Sequence, residues 1–332
     1  MTVSATPMAT AFKWYPPRQY LLGTVVFALL AVVPLFSSGQ YVLFMLSLSL
    51  IYAIVAVGLN VTNGYLGMLN LSVGGQVALG CYACAILALM DVPLPLAIAV
   101  AVMVGAAAAA LIFVIFARLH GFFFGLATIA AAEVIRLLIR NLDGLTNGVR
   151  GLRGYPQLTN SPETTYFLVV ACLAATVLLV ALMVHSPIGL RWRAIRENRG
   201  KALSLGIPVR RFQFWGFVAS GGIMAFGGAL LAPLLQYIEP NIAGLSTLVQ
   251  TVLMVAMGGG GTLFGPVLGA LAITLLPEFL RLANELRMVI YGAALIVVVL
   301  MLPGGIIGFI NGKLRTRRRM AGSLPKHETG AI

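Results

Sequence analysis

Ser186-Pro-Ile-Gly-Leu-Arg-Trp-Arg-Ala-Ile-Arg-Glu-Asn-Arg-Gly-Lys-Ala-Leu-Ser-Leu-Gly-Ile-Pro-Val-Arg-Arg211 is the one long charged segment inside an otherwise apolar chain. Its cations are Arg191, Arg193, Arg196, Arg199, Lys201, Arg210 and Arg211, and Glu197 is its only acid. Such a run cannot lie in hydrocarbon, where each central Arg or Lys costs about 3 kcal/mol or more. It is therefore a loop between membrane spans, and loops rich in Lys and Arg stay in the cytoplasm. Ile188, Trp192 and Ile195 fall on one face of a helix, with the cations elsewhere. Asn198 and Gly200 suggest a break, and Ala202, Leu203 and Leu205 open a second short apolar face. Gly206 fits a helix stop, with Pro208 just beyond it. The pattern predicts two short amphipathic helices below the membrane. On pattern alone they are equally a basic loop resting on anionic lipid.

Outward from this loop the composition is that of a membrane protein. Of the 332 residues, 60% are hydrophobic and 9% charged, against about 25% charged in soluble domains. A net charge of +13 would suggest nucleic acid in a soluble protein. Here the cations flank apolar runs, so topology accounts for them and no nucleic-acid partner is expected. His120, His185 and His327 are scattered, which leaves no metal cluster. Cys81 and Cys84 form C-x-x-C without the strand and helix setting of a redox fold, so they read as small core residues. Lys13 and Arg18 precede an apolar run in the manner of a signal peptide. The next span begins almost at once, which favours an uncleaved first helix.

Runs of about 20 apolar residues, enough to span, occur near 20–36, 41–59, 66–90, 94–117, 121–140, 166–184 and 212–236. The stretch 246–304 has room for three more, about 246–260, 263–280 and 287–304. The expected fold is an all-α polytopic membrane protein of about ten transmembrane helices, with both termini cytoplasmic. Sixteen of the 22 Lys and Arg then fall inside: Lys13, Arg18, Arg118, the seven of the loop and six in the tail. The expected parts are an N-tail 1–19, a transmembrane domain 20–304 and a basic tail 305–332. The transmembrane domain holds the cytoplasmic loop 186–211 and an extracytoplasmic loop 141–165, which is rich in turn formers. Glycine in 66–90 and 258–266 admits half-helices there.

Three stretches are candidates for function. Gly58–Gln76 places Asn60, Asn63, Gly64, Gly67, Asn70, Ser72 and Gln76 between apolar runs. Polar groups at membrane depth fit either a broken helix beside a transport path or hydrogen bonding between helices. Gly258–Gly269 puts Gly261, Gly265 and Gly269 four apart, a spacing for close helix contact, while its four consecutive glycines suggest a hinge. It is not a phosphate loop, since no Lys-Ser or Lys-Thr follows, and no such loop occurs elsewhere in the chain. Glu133 lies within a span, where a carboxylate is a candidate by default, but Arg136 on the same helix can neutralise it. No catalytic constellation stands out.

Together these stretches resemble the permease family of branched-chain amino-acid ABC importers, most closely its M-type subunit. Gly64-Tyr-Leu-Gly-Met-Leu-Asn-Leu-Ser72 is similar to that family's G-Y-x-G-x-L-S-L-G. Phe124-Gly-Leu-Ala-Thr-Ile-Ala-Ala-Ala-Glu-Val-Ile-Arg136 and Leu145-Thr-Asn-Gly-Val-Arg-Gly-Leu152 resemble its A-x-x-T-L-A-x-A-E-I-x-R and L-T-G-G-x-x-G-L. The opening stretch and Gly258–Ala270 match two further motifs. The resemblance runs from about Leu21 to Gly308.

It implies a bacterial inner-membrane subunit that pairs with a homologous permease. Two cytoplasmic ATPases would bind the ATP, so this chain would hold no cofactor and be no enzyme. An extracytoplasmic protein would deliver substrate. The 186–211 loop would be the ATPase coupling element, with Gly189, Arg193, Ala194, Arg196, Glu197, Leu205 and Gly206 on the motif and Trp192 and Ile195 in the ridge. The resemblance extends to urea and amide importers. Two other expectations are an ion-coupled secondary transporter, which would need Glu133 and no ATPase, and a purely structural membrane subunit.

Overall fold

The computed structural model describes residues 39–279. The spans expected at 20–36 and 287–304, the N-tail 1–19 and the tail 305–332 lie outside them. The described chain is helical apart from one two-residue ribbon. Helix α1 (Gln40–Asn60) continues into a π-helical segment, Val61–Leu66. After an irregular stretch come α2 (Val73–Leu89), α3 (Leu94–Phe116) and α4 (Phe122–Asn141). A single turn, α5 (Asp143–Thr146), and a 3-10 turn lead to strand β1 (Leu152–Arg153). Then follow α6 (Pro162–His185), α7 (Pro187–Glu197), α8 (Arg199–Ser204) and α9 (Val209–Leu235). Strand β2 (Tyr237–Ile238) and a 3-10 turn (Pro240–Ala243) precede α10 (Leu245–Gly258) and α11 (Gly265–Phe279).

Five helical stretches are long and apolar enough to cross a membrane: Gln40–Leu66, α3, α4, α6 and α9. Val73–Leu89, α10 and α11 are shorter apolar helices. At 1.5 Å per residue the first two reach only about 21–26 Å, against a hydrocarbon core of about 30 Å. The span expected at 66–90 is therefore corrected to a helix that starts only at Val73, while those expected at 246–260 and 263–280 coincide with α10 and the described part of α11. The expected glycine-broken segments are where irregular backbone lies.

Helices α1 and α9 form the centre, and α3, α4 and α6 lie outside it with most of their surface open. α9 packs on α1, α2 and α3 because its small residues let backbones approach. A methyl group on Gly228 would strike the Val77 carbonyl, and one on Gly80 the Ala225 carbonyl. Gly105 likewise sits against Ala225. The Cys81 thiol donates to Gly228 O at 3.1 Å, and Cys81 and Cys84 are both buried free thiols.

The two ends of the bundle differ. At one, β1 pairs antiparallel with β2, Leu152 opposite Ile238. This ribbon stitches the 141–165 loop to the end of α9, and the sequence reading has no counterpart for it. At the other lie the α3–α4 connection and the basic pair α7–α8.

Candidate functional site: two helix breaks and the basic helices beneath them

The first break follows α1. Gly67, at φ +70°, ends the π-helical segment, and helix resumes only at Val73. Irregular backbone within an apolar bundle needs internal partners for its N–H and C=O groups. The local side chains supply them. Asn63 Oδ1 accepts the Asn70 N–H at 2.8 Å, and Asn63 Nδ2 donates to Asn70 O at 3.3 Å. Asn70 Oδ1 accepts both the N–H and the hydroxyl of Ser72, at 3.0 and 2.8 Å. The Leu71 N–H donates to Thr128 Oγ1 on α4, whose hydroxyl donates on to Gly125 O.

The second break lies between α10 and α11. Gly259 and Gly261 take φ +108° and +80°, which L side chains rarely adopt. Asn60, at the end of α1, clasps this turn. Its Oδ1 accepts the Gly261 N–H at 2.8 Å, and its Nδ2 donates to Thr262 O at 2.8 Å. Gly64 faces the same point, where a methyl would collide with the Asn60 carboxamide. The two breaks are thus joined through one buried side chain.

The expected glycine stripe divides here. Gly265 and Gly269 lie on α11, where a methyl on Gly265 would strike Thr262 Oγ1 first and then the Gly258 and Gly259 carbonyls, and one on Gly269 the Met254 carbonyl on α10. Gly261 lies in the turn and not on that helix, because four consecutive glycines do not hold helical geometry.

Ser220 on α9 closes the network from behind. Its hydroxyl donates to Gly58 O at 2.7 Å and lies 3.3 Å from Thr62 Oγ1. Gln76, one turn into α2, is fully buried, and neither atom of its amide finds a hydrogen-bond partner among the described residues. Its Oε1 lies 3.3 Å from where a Gly221 methyl would sit.

Beneath the breaks, capping fixes the helix pair. Ser186 Oγ accepts the Ile188 N–H, with Pro187 at the first helical position. Asn198 Oδ1 accepts the Lys201 N–H and starts α8. Gly206, at φ +73°, donates its N–H to Leu203 O, and Ile207 donates to Ala202 O, the paired bonds of a Schellman stop.

The ridge does not face outward as expected. Trp192 is fully buried, with Nε1–H donating to Phe212 O at 3.2 Å, and Ile195 is buried beside it. Hydrophobic burial draws both side chains onto the bundle itself, Trp192 through space left at Gly216. Gly189 backs onto Val184 O, with no room for a side chain. The apolar groups turned outward are Ile188, Leu190, Leu203 and Leu205, 40%, 63%, 55% and 76% exposed. Arg191 stacks over Phe212 at 5.0 Å, while Arg196, Glu197 and Asn198 border a cleft of about 260 Å³ shared with Met68 and His120.

Glu133 and Arg136 stand apart from both breaks, paired on α4. Arg136 Nε donates to the two carboxylate oxygens at 3.0 and 2.9 Å, and Nη2 adds a short bond to Oε1. The two side chains are 43% and 22% exposed. Thr128 and Ser220 belong to the site although the sequence reading did not select them. The only signal for either is a hydroxyl inside an apolar helix.

Comparison with known proteins shows the family. Residues 41–300 match the family model described as branched-chain amino acid transport system / permease component. The chain is 25% identical over 305 residues to the high-affinity branched-chain amino acid transport system permease protein LivM of Escherichia coli (strain K12), covering 83% of this chain and 72% of that one. It is 26% identical over 290 residues to LivH of the same strain, covering 77% and 91%. The ribose import permease protein RbsC of Haemophilus influenzae is 26% identical over 308 residues, covering 88% and 93%. No solved structure gives a significant match.

Proposed function

Because the chain belongs to the branched-chain amino acid transport permease family, we propose that it is the membrane subunit of a binding-protein-dependent importer for branched-chain or other hydrophobic amino acids. It resides in the bacterial inner membrane with about ten spans and both termini in the cytoplasm. It pairs with a homologous permease, takes substrate from an extracytoplasmic binding protein, and draws energy from two cytoplasmic ATPases that bind the ATP.

One observation carries the mechanism. The pair α7–α8 is held to the bundle from inside by Trp192 and Ile195, yet presents Leu190, Leu203 and Leu205 to the outside amid its cations. Exposed leucines at a polar rim mark an interaction surface. On the cytoplasmic side of a subunit without a phosphate loop, that surface is where an ATPase seats. The breaks above it, lined by Asn60, Asn63, Gly64, Gly67, Asn70, Ser72 and Gln76, are the segments that rearrange as substrate passes. Discontinuous helices serve this purpose in other transporters.

The substrate class is tested by uptake into proteoliposomes holding the assembled importer. Labelled leucine is offered against unlabelled leucine, valine, urea and short amides. Competition by leucine and valine alone is expected. Competition by urea or amides, with valine inert, would replace this assignment with a urea- or amide-type importer.

A further inference from the structure

The side chain of Arg196 does not simply project from the last turn of α7. Its stem lies against Gly67, the left-handed residue that ends the π-helical segment. A methyl built on Gly67 would sit 2.8 Å from Arg196 Cγ, 3.2 Å from Cβ and 3.3 Å from Cα. Its guanidinium lies against Gly261, the left-handed residue of the second break. A methyl there would run into Nη1 and lie 3.4 Å from Cζ, and the same point is 3.1 Å from Gly64 O. One side chain from the basic helix therefore touches both breaks at their most constrained glycines. Asn60 joins those breaks from the other side. Trp192, one turn back on α7, is buried in the bundle, as is Ile195 beside Arg196.

We propose that Arg196 is a positioning residue that ties α7 to both helix breaks, so that displacement of α7 by an ATPase moves the 67–72 segment and the 259–262 turn together. This rests on the reading of α7–α8 as the ATPase seat. Arg196 and Gly67 are both exposed, so the coupling works by direct contact of the Arg196 stem and guanidinium with the two glycine turns. Glycine at 67 and 261 is required twice over, for the backbone angle and for the room that Arg196 fills.

The test uses the full importer in proteoliposomes, with Arg196→Ala, Arg196→Lys and Gly67→Ala. Three quantities are read: ATPase retained on purification, ATP hydrolysis stimulated by loaded binding protein, and leucine imported per ATP hydrolysed. Arg196→Ala is expected to retain ATPase at the wild-type ratio and to go on hydrolysing ATP. Its import per ATP should fall about tenfold, within the usual range of coupling between sites. Arg196→Lys keeps the stem against Gly67 but not the contact with Gly261, and should fall between. Gly67→Ala should uncouple as well, from the opposite side of the contact. Wild-type import per ATP in Arg196→Ala would overturn the proposal, as would loss of the ATPase from that variant, which would make Arg196 part of the docking surface. If the wild-type chain retains no ATPase at all, the underlying reading fails and not this inference alone.

Discussion

Asn60 concentrates the account in one side chain. It is buried, and both ends of its carboxamide are used, one on Gly261 N–H and one on Thr262 O. Asn60→Leu leaves a buried donor and acceptor unpaired, each at about 1–3 kcal/mol. A clear drop in the thermal unfolding temperature of the purified protein is expected, and an unchanged value would show that the clasp contributes nothing. Glu133 poses the complementary case. Its ion pair with Arg136 is partly open on an outer helix, and a lone charge at that depth is costly. Glu133→Gln should therefore reduce membrane accumulation more than Glu133→Gln combined with Arg136→Gln. If the double variant accumulates normally yet imports nothing, the pair acts in transport and not only in structure. Both residues were visible in the sequence as polar groups in apolar runs. Arg136, three residues from Glu133, was legible as its partner; the partners of Asn60 were not, since 201 positions separate Asn60 from Gly261 and nothing in either stretch names the other.

At the scale of the element, the sequence announced α7 and α8 through periodicity, the break at Asn198 and the stop at Gly206; the caps that Ser186 and Asn198 supply emerged from the structure. The face that turns inward was not legible. Periodicity grouped Ile188, Trp192 and Ile195 as one apolar face, but cannot tell burial in the chain's own bundle from burial in a partner. The structure divides them, with Trp192 and Ile195 inside and Ile188 open. Trp192→Ala should then cost about 3–5 kcal/mol, as for a large ring removed from a packed site, and free α7. Limited proteolysis within 186–211 should accelerate in the variant, and cleavage at the wild-type rate would place the ring outside the core. Leu205→Ala should leave that rate unchanged and weaken ATPase retention. On α11, Gly265→Leu forces a side chain into the Gly258 carbonyl. Overpacking of this kind costs about 1–3 kcal/mol, read as loss of co-purification with the partner permease. Normal assembly and uptake would show that this face has space.

For the whole molecule, hydropathy located every described apolar helix but overstated the length of the one expected at 66–90, which starts only at Val73. The reason is physical: a window of apolar residues counts glycine and asparagine as interruptions too slight to notice, whereas the backbone stops at Gly67 and Gly259. The result is a rigid centre, α1 and α9, with two interruptions joined by Asn60 and touched from below by Arg196. Such a body has the parts for receiving motion at its basic end and no phosphate loop with which to generate it. Its rival is a carrier driven by ions, with Glu133 as the titrating group. The deciding measurement is leucine accumulation in proteoliposomes containing the assembled importer and loaded binding protein, energised either by ATP or by a proton gradient alone. Accumulation against the gradient of leucine is expected with ATP and the ATPases, and none with the proton gradient. Uphill accumulation driven by protons in the absence of any ATPase would contradict the account.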